Sequence, residues 1–206
     1  MKRGKFIVVE GGDGAGKDTQ IELLHKELGE KNFVYTRDPG GTTLGTELRE
    51  IVQHGKNVSK ETEMLLFLAS RAQLVNEVIR PALDKGVNVI CNRFDYSTLA
   101  YQIWGRERQE LRDFVRSASI FARVRTFPDL IILLDVEPKV ALMRLMQRGE
   151  KLTRFEKEKM AFHERVREGY LANTGEYPNV KVIDASRPIG EVYRDVKKAV
   201  EETLNK

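Results

Sequence analysis

Short apolar runs alternate with longer amphipathic segments along the chain. Runs at 6–10, 33–36, 87–91, 130–134 and 180–183 read as strands. Ile131-Ile132-Leu133-Leu134 is apolar at every position, as expected of a strand covered on both faces. Helical spacing fills the intervals at 16–28, 44–54, 60–84, 107–123, 138–147, 155–173 and 189–204. Pro138 suits the first turn of its helix, whereas Pro81 falls inside one and is expected to kink or break it. This alternation predicts an α/β fold, a five-stranded parallel sheet with helices on both faces. A single domain over 1–206 accommodates it. The polar stretch 149–153 separates two helices and is the expected mobile loop.

The first strand runs into Gly11-Gly12-Asp13-Gly14-Ala15-Gly16-Lys17-Asp18-Thr19, and helical spacing follows. A strand, a glycine loop and a helix in that order form a phosphate-binding loop, with the Walker A spacing G-x-x-x-x-G-K-[ST]. Glycines let successive backbone N–H groups turn toward one anion, and the helix start adds its positive dipole end. Lys17 is expected to reach the β- and γ-phosphates. Asp18 breaks the motif, because a carboxylate stands where a hydroxyl belongs. For Asp13, ordinary turn chemistry and a carboxylate facing a second substrate weigh equally.

Composition narrows the field. The chain carries 35 Lys and Arg against 31 Asp and Glu, a net +4, which suits an anionic ligand but not a nucleic-acid surface. Cys91 is the single cysteine and His25, His54 and His163 are scattered, so neither a disulfide nor a Cys/His metal cluster is expected. No apolar run approaches the ~18 residues of a membrane span. The basic start is followed by too short an apolar stretch for a signal peptide. A cytoplasmic protein that engages neither membrane nor nucleic acid is the expectation.

Two further segments gather charge at the carboxyl edge of the sheet, where ligands of open α/β folds bind. Thr36-Arg37-Asp38-Pro39-Gly40-Gly41-Thr42 follows the second strand and Asn92-Arg93-Phe94 the third. Each arginine taken alone reads more often as a surface ion-pair partner, but with Lys17 they imply several bound phosphates. Phe67 and Arg71, four residues apart on one helix, share a face that could be core or could stack and hydrogen-bond a base.

Taken together, Glu10-Gly11-Gly12-Asp13-Gly14-Ala15-Gly16-Lys17, the Arg37 segment, Phe67-Leu68-Ala69-Ser70-Arg71-Ala72 and Arg93-Phe94-Asp95-Tyr96-Ser97-Thr98-Leu99-Ala100-Tyr101-Gln102 resemble the thymidylate kinase family. Pro128 to Val136, Arg148-Gly149 and Val182 to Ser186 extend the resemblance over nearly the whole chain. It implies a P-loop NTPase of the nucleoside monophosphate kinase type, with a short lid at about 148–156, that transfers the γ-phosphate of ATP to dTMP. By resemblance, Gly11, Gly12, Asp13, Gly14, Ala15, Gly16, Lys17, Asp18 and Thr19 bind ATP. Arg37 and Arg93 hold the dTMP phosphate, Phe67 stacks on thymine, and Arg71 bonds its O4 edge. Ser97, Thr98 and Gln102 belong to the same site, and Tyr101 closes against the sugar. Asp13 reaches the sugar 3′-hydroxyl or a magnesium-bound water, which tips its reading toward function.

The family places its catalytic arginine either in the phosphate loop, where this chain has Gly14, or in the lid. Arg144, Arg148, Lys151, Arg154, Lys157 and Lys159 make a basic stretch that reads as a solvated helix face or as a lid closing over ATP. The resemblance implies the lid type, with Arg154, and secondarily Arg148, countering charge on the transferred phosphoryl group and Arg144 against adenine. It also implies Mg²⁺ with the ATP and a homodimer. The family's usual residues are Ser or Thr at position 18 and Asp at 92. Here Asp18 and Asn92 suggest that the carboxylate has changed places and that Asp18 is the metal ligand. Two rival readings remain: another deoxynucleotide or deoxynucleoside kinase of this fold, and a nucleotide-binding protein without turnover.

Overall fold

A computed structural model describes residues 2–149 and 151–206. Strands β1 (Phe6–Glu10), β2 (Phe33–Arg37), β3 (Asn88–Asn92), β4 (Leu130–Asp135) and β5 (Val180–Asp184) form one sheet in the order β2-β3-β1-β4-β5. Every pairing is parallel, with Val8 beside Cys91 on one side and Ile131 on the other. This is the expected sheet: β1 has its expected bounds, β2, β4 and β5 each run one residue further, and β3 is shifted by one residue.

Alternation along the central strands sends side chains into two cores. Phe6, Val8, Val89, Cys91, Ile131 and Leu133 face one way; Ile7, Val9, Ile90, Ile132 and Leu134 face the other. Full burial on both faces explains why the strands read as unbroken apolar runs. Helices α1 (Lys17–Leu28), α7 (Pro138–Arg148) and α9 (Ile189–Leu204) cover the second core through Leu24, Ala141, Val196 and Val200. The first is covered by α3 (Lys60–Leu74), α4 (Arg80–Asp84), α5 (Asp95–Thr98) and α8 (Met160–Ala172), using Leu74, Leu83, Tyr96 and Phe162. Helices α2 (Thr43–His54) and α6 (Arg112–Ala122) complete the fold.

Four helical expectations change. The helix expected over 107–123 opens as a 3-10 turn at Gln109–Leu111 and is α-helical only over Arg112–Ala122. Pro81 does not break its helix; a π-helical turn at Val75–Ile79 precedes it, and Pro81 falls in the first turn of α4. The Arg80 N–H reaches back to Val75 O, so the widened turn takes up the mismatch that a proline ring imposes on the preceding carbonyls. The helix expected over 155–173 begins only at Met160. Thr153 and Glu156 instead close a turn on each other, Thr153 N to Glu156 Oε2 at 2.7 Å and Glu156 N to Thr153 Oγ1 at 3.3 Å. Finally, α5 continues as a π-helix over Leu99–Gly105, an element the periodicity did not reveal. The loop expected over 149–153 lacks helix and strand, and its Glu150 lies outside the described residues.

Candidate active site

Adjacent strands β1 and β3 end at the point where the sheet's winding reverses, and the loops leaving them bound a cleft of about 1260 Å³. The phosphate loop forms its floor. Gly14 has φ +78° and a Cβ there would lie 2.3 Å from Ala141 O, so the loop packs directly on α7 with no room for a side chain. An arginine in the loop, the family's other arrangement, is excluded by this contact. Lys17 is buried, its Nζ donating to Gly11 O at 3.1 Å and Gly12 O at 2.7 Å. Burial and the neighbouring Arg93 charge push its ammonium down to about 7, against the partial support of Asp13 and Asp18. A polyanion in the cradle reverses that balance.

Arg93 follows β3 and is threaded back over the phosphate loop. Its backbone N–H donates to Val9 O at 2.9 Å. Its guanidinium donates to Gly11 O at 2.8 Å, Asp13 Oδ1 at 2.7 Å, Ser97 Oγ at 3.2 Å, Tyr170 OH at 3.0 Å and Tyr101 OH at 2.9 Å. Tyr101 OH also donates to Asp13 Oδ2 at 2.8 Å. Burial pushes the Asp13 carboxyl up, but the charges of Arg93 and Lys17 overcome it and hold the group below the ordinary carboxylate range. Asp13 is therefore an anion fixed between two cleft residues, Arg93 and Tyr101.

Beyond this centre the cleft has two ends. At one, Arg37, Arg49, Phe67, Arg71, Thr98 and Gln102 converge. The turn carrying Arg37 needs its glycines: a Cβ on Gly41, at φ +74°, would lie 2.2 Å from Thr36 Oγ1. Thr42 then caps α2 by accepting from Gly45 N at 2.9 Å. Arg71 is buried, with Nε 2.5 Å from Asp38 Oδ2 and Nη2 donating to Thr98 Oγ1 at 2.9 Å and Phe94 O at 3.2 Å. Its Nη1 is buried without a protein partner. Thr98 thus acts by holding Arg71. At the other end, Thr19, Arg144, Arg148, Ser186, Arg187 and Ile189 line the cleft. Arg144 donates to Ala185 O at 3.0 Å and clamps the loop after β5.

The charge exchange expected at the loop has a geometric counterpart. Asp18 Oδ1 accepts from Asn92 Nδ2 at 2.9 Å and from Arg37 Nη2 at 3.4 Å. Asn92 Oδ1 is buried and unpartnered. Among the described residues no group of three His, Cys, Asp or Glu forms a metal cage. A metal that draws most of its ligands from phosphates and water is compatible with a single carboxylate here.

The basic stretch expected to act as a lid is arranged differently from the expectation. Arg148, Lys151, Thr153, Phe155 and Glu156 line the cleft, but Arg154 does not. Its guanidinium turns toward α2 and α3, donating to Val52 O at 3.1 Å and Glu63 Oε2 at 3.2 Å. In this arrangement the buried Glu63 carboxylate engages the Arg154 guanidinium, and of the two arginines Arg148 is the one that lines the cleft.

Sequence reasoning missed Arg49, Glu10 and Tyr170. Arg49 and Gln53 lie one turn apart on α2 and both face the cleft, a polar pair that the segment's helical spacing could have exposed. Glu10, a lone acid ending an apolar strand, was a visible signal. It is fully buried, accepting from Phe94 N at 2.8 Å, Ser97 Oγ at 2.6 Å and Tyr170 OH at 2.9 Å, and so ties the loop after β3 to β1. Burial raises its carboxyl above the ordinary range despite Arg93. Tyr170, from α8, has no local signal.

The family model described as "Thymidylate kinase" matches residues 9–196. A thymidylate kinase of Carboxydothermus hydrogenoformans is 44% identical over 200 residues, covering 95% of this chain and 96% of that protein. One from Clostridium novyi is 40% identical over 203 residues, covering 96% and 98%. Among solved structures, the thymidylate kinase of Ehrlichia chaffeensis superposes with a TM-score of 0.76 at 29% identity, covering 96% of this chain and 99% of that one.

Proposed function

The chain belongs to the thymidylate kinase family, and on that premise we propose how its cleft divides the work of moving a phosphoryl group from ATP to dTMP. The observation that carries the assignment is the grouping of Lys17, Arg37, Arg93 and Arg148 around one cleft with room for two nucleotides. The transferred group is held by cations, and the attacking phosphate oxygen of dTMP is already a nucleophile. Alignment, charge neutralisation and exclusion of water are then sufficient, and no general base is assigned.

The phosphate loop and Lys17 take the β- and γ-phosphates of ATP, and its adenine lies between Arg144 and the loop after β5. Arg37, Arg49 and Arg93 take the acceptor phosphate. Phe67 and Arg71 take thymine, with Thr98 and Gln102 beside it and Tyr101 against the sugar. Asp13 reaches the sugar 3′-hydroxyl or a metal-bound water. Arg148 takes the lid's catalytic role, with Arg154 holding the lid turn. Incubation with ATP and a panel of acceptors, followed by ADP release, tests the reading. Rapid turnover is expected with dTMP, slower with dUMP, and background rates with dCMP and thymidine. Preference for thymidine would transfer the assignment to a nucleoside kinase, and no turnover with any acceptor would favour a binding protein.

Members of the family use ATP with a divalent metal. We assign Mg²⁺ as that metal and Asp18 as its protein ligand, with Asn92 holding the carboxylate in place. When bound, the metal supplies charge neutralisation between the phosphates and orients them. Without it, an anion at position 18 repels phosphate, on the order of 4 kcal/mol for unit charges 4 Å apart at an effective dielectric of 20. The Asp18 side chain is 64% exposed, so solvent screens much of this. Removing Mg²⁺ is therefore expected to weaken binding of a non-hydrolysable ATP analogue at least about tenfold more in the wild type than in Asp18→Thr. Equal metal dependence in the two titrations would overturn the assignment.

A homodimer is supported by the outer face of α6, where Phe114 and Ile120 are half exposed and Phe121 is 84% exposed. Light scattering at twice the mass of one chain tests it. Among the described residues no helix is long and apolar enough to cross a membrane, and a nucleotide kinase of this kind is assigned to the cytoplasm, where fractionation would find it.

A further inference from the structure

Glu63 stands near the start of α3, fully buried, and is absent from the cleft lining. Its carboxylate gathers three elements. Oε1 accepts from Gln102 Nε2 at 3.2 Å and from Arg106 Nε at 3.2 Å. Oε2 accepts from Arg106 Nη2 at 2.9 Å and Arg154 Nη2 at 3.2 Å. Arg106 is shared with Glu158, and its guanidinium lies over the Phe155 and Phe162 rings at 5.4 and 5.0 Å. Arg154 is further fixed by its own N–H, which donates to Gln53 O at 3.1 Å.

Two consequences reach the cleft. An ionised carboxylate only accepts, so the Gln102 amide must turn its nitrogen toward Glu63. That leaves Oε1 as the atom Gln102 presents to the cleft it lines. Meanwhile Arg154, held by Glu63, places its neighbour Phe155 in the cleft wall, with ring centroids 5.9 Å from both Phe67 and Tyr101.

We propose that Glu63 is a positioning residue for base selection: it fixes Gln102 as an acceptor and, through Arg154, braces Phe155 against Phe67. The inference rests on the assignment of this pocket to thymine. The pocket then offers an unpaired Arg71 N–H and, from the same lining, the Gln102 carbonyl, a donor and an acceptor. Thymine presents the complement, O4 as acceptor and N3–H as donor. Cytosine presents the inverse, an amino group and an unprotonated N3.

The substitution Glu63→Gln keeps the shape but lets the new amide both donate and accept, so Gln102 is no longer held one way. The expected result is a loss of about 10- to 100-fold in the ratio of kcat/KM for dTMP over dCMP, with KM for ATP changed less than about twofold. A role confined to stability would lower the melting temperature and leave that ratio alone, and an unchanged ratio overturns the proposal. Should the variant not fold, side-chain amide NMR of the wild type decides. The Gln102 amide protons, identified by their absence in Gln102→Met, should stay protected when dTMP binds, because Nε2 remains on Glu63. Protons that lose protection, or shift as a donor turned onto the base would, refute it. Failure of the thymine assignment shows separately, as wild-type enzyme that does not turn over dTMP.

Discussion

Replacing Lys17 with methionine is expected to lower kcat by about three orders of magnitude, with the protein still folded. The ammonium is held by Gly11 and Gly12 carbonyls, and Gly11 O also accepts from Arg93. Methionine fills the space without stranding that oxygen, so the loss falls on phosphate neutralisation. The same residue sets a pH signature. Burial and the Arg93 charge bring its pKa to about 7 in the protein alone. Bound phosphates stabilise the ammonium and raise that value. Bound enzyme then carries more protons than free enzyme above about pH 7, so ATP binding takes up a proton. Affinity falls as pH rises through that window, approaching tenfold per pH unit. Calorimetry in buffers of different ionisation heat reads the uptake, and Lys17→Met should abolish it. Uptake of equal size in the variant would place the titration elsewhere.

What the sequence disclosed is what lies close along the chain. The phosphate loop proposed at Gly11 to Lys17 would work through its own backbone, so spacing alone makes it legible. The central strands are equally plain, since burial on both faces leaves no polar position to confuse the pattern. The site's interior is different. Arg71 is held by Asp38 and Thr98, and Glu63 by Gln102, Arg106 and Arg154, partners between 27 and 91 residues distant. No local pattern records such pairings. Arg154 shows the consequence: its place in a basic stretch is legible, but the carboxylate that engages it comes from α3, 91 residues away. The π-helical turns are illegible for a related reason, because their wider geometry shifts the register that periodicity relies on.

Arg71→Lys tests the part of the site to which acceptor choice is proposed to belong. Arginine has five N–H donors. One goes to Asp38 and two others to Phe94 O and Thr98 Oγ1, while Nη1 is buried with no partner in the protein. Burial alone would lower its pKa, but Asp38 and Asp95 raise it above the usual value, so the guanidinium stays charged. A buried donor without an acceptor is costly until a ligand supplies one. On the proposed reading the O4 of thymine does so, and the amino group of cytosine cannot. Lysine keeps the charge that Asp38 requires but cannot reach Asp38, Thr98 and O4 together. Discrimination of dTMP from dCMP, expected at about 10³-fold or more in the wild type, should fall by at least tenfold, mainly through KM for dTMP. Arg71→Met would instead leave Asp38 buried without its partner and cost about 3–5 kcal/mol of stability, on the order of 10 °C in Tm. The two variants separate the jobs of one side chain. If Arg71→Lys kept full discrimination, O4 recognition would have to come from another residue, and the orphan N–H would be structural.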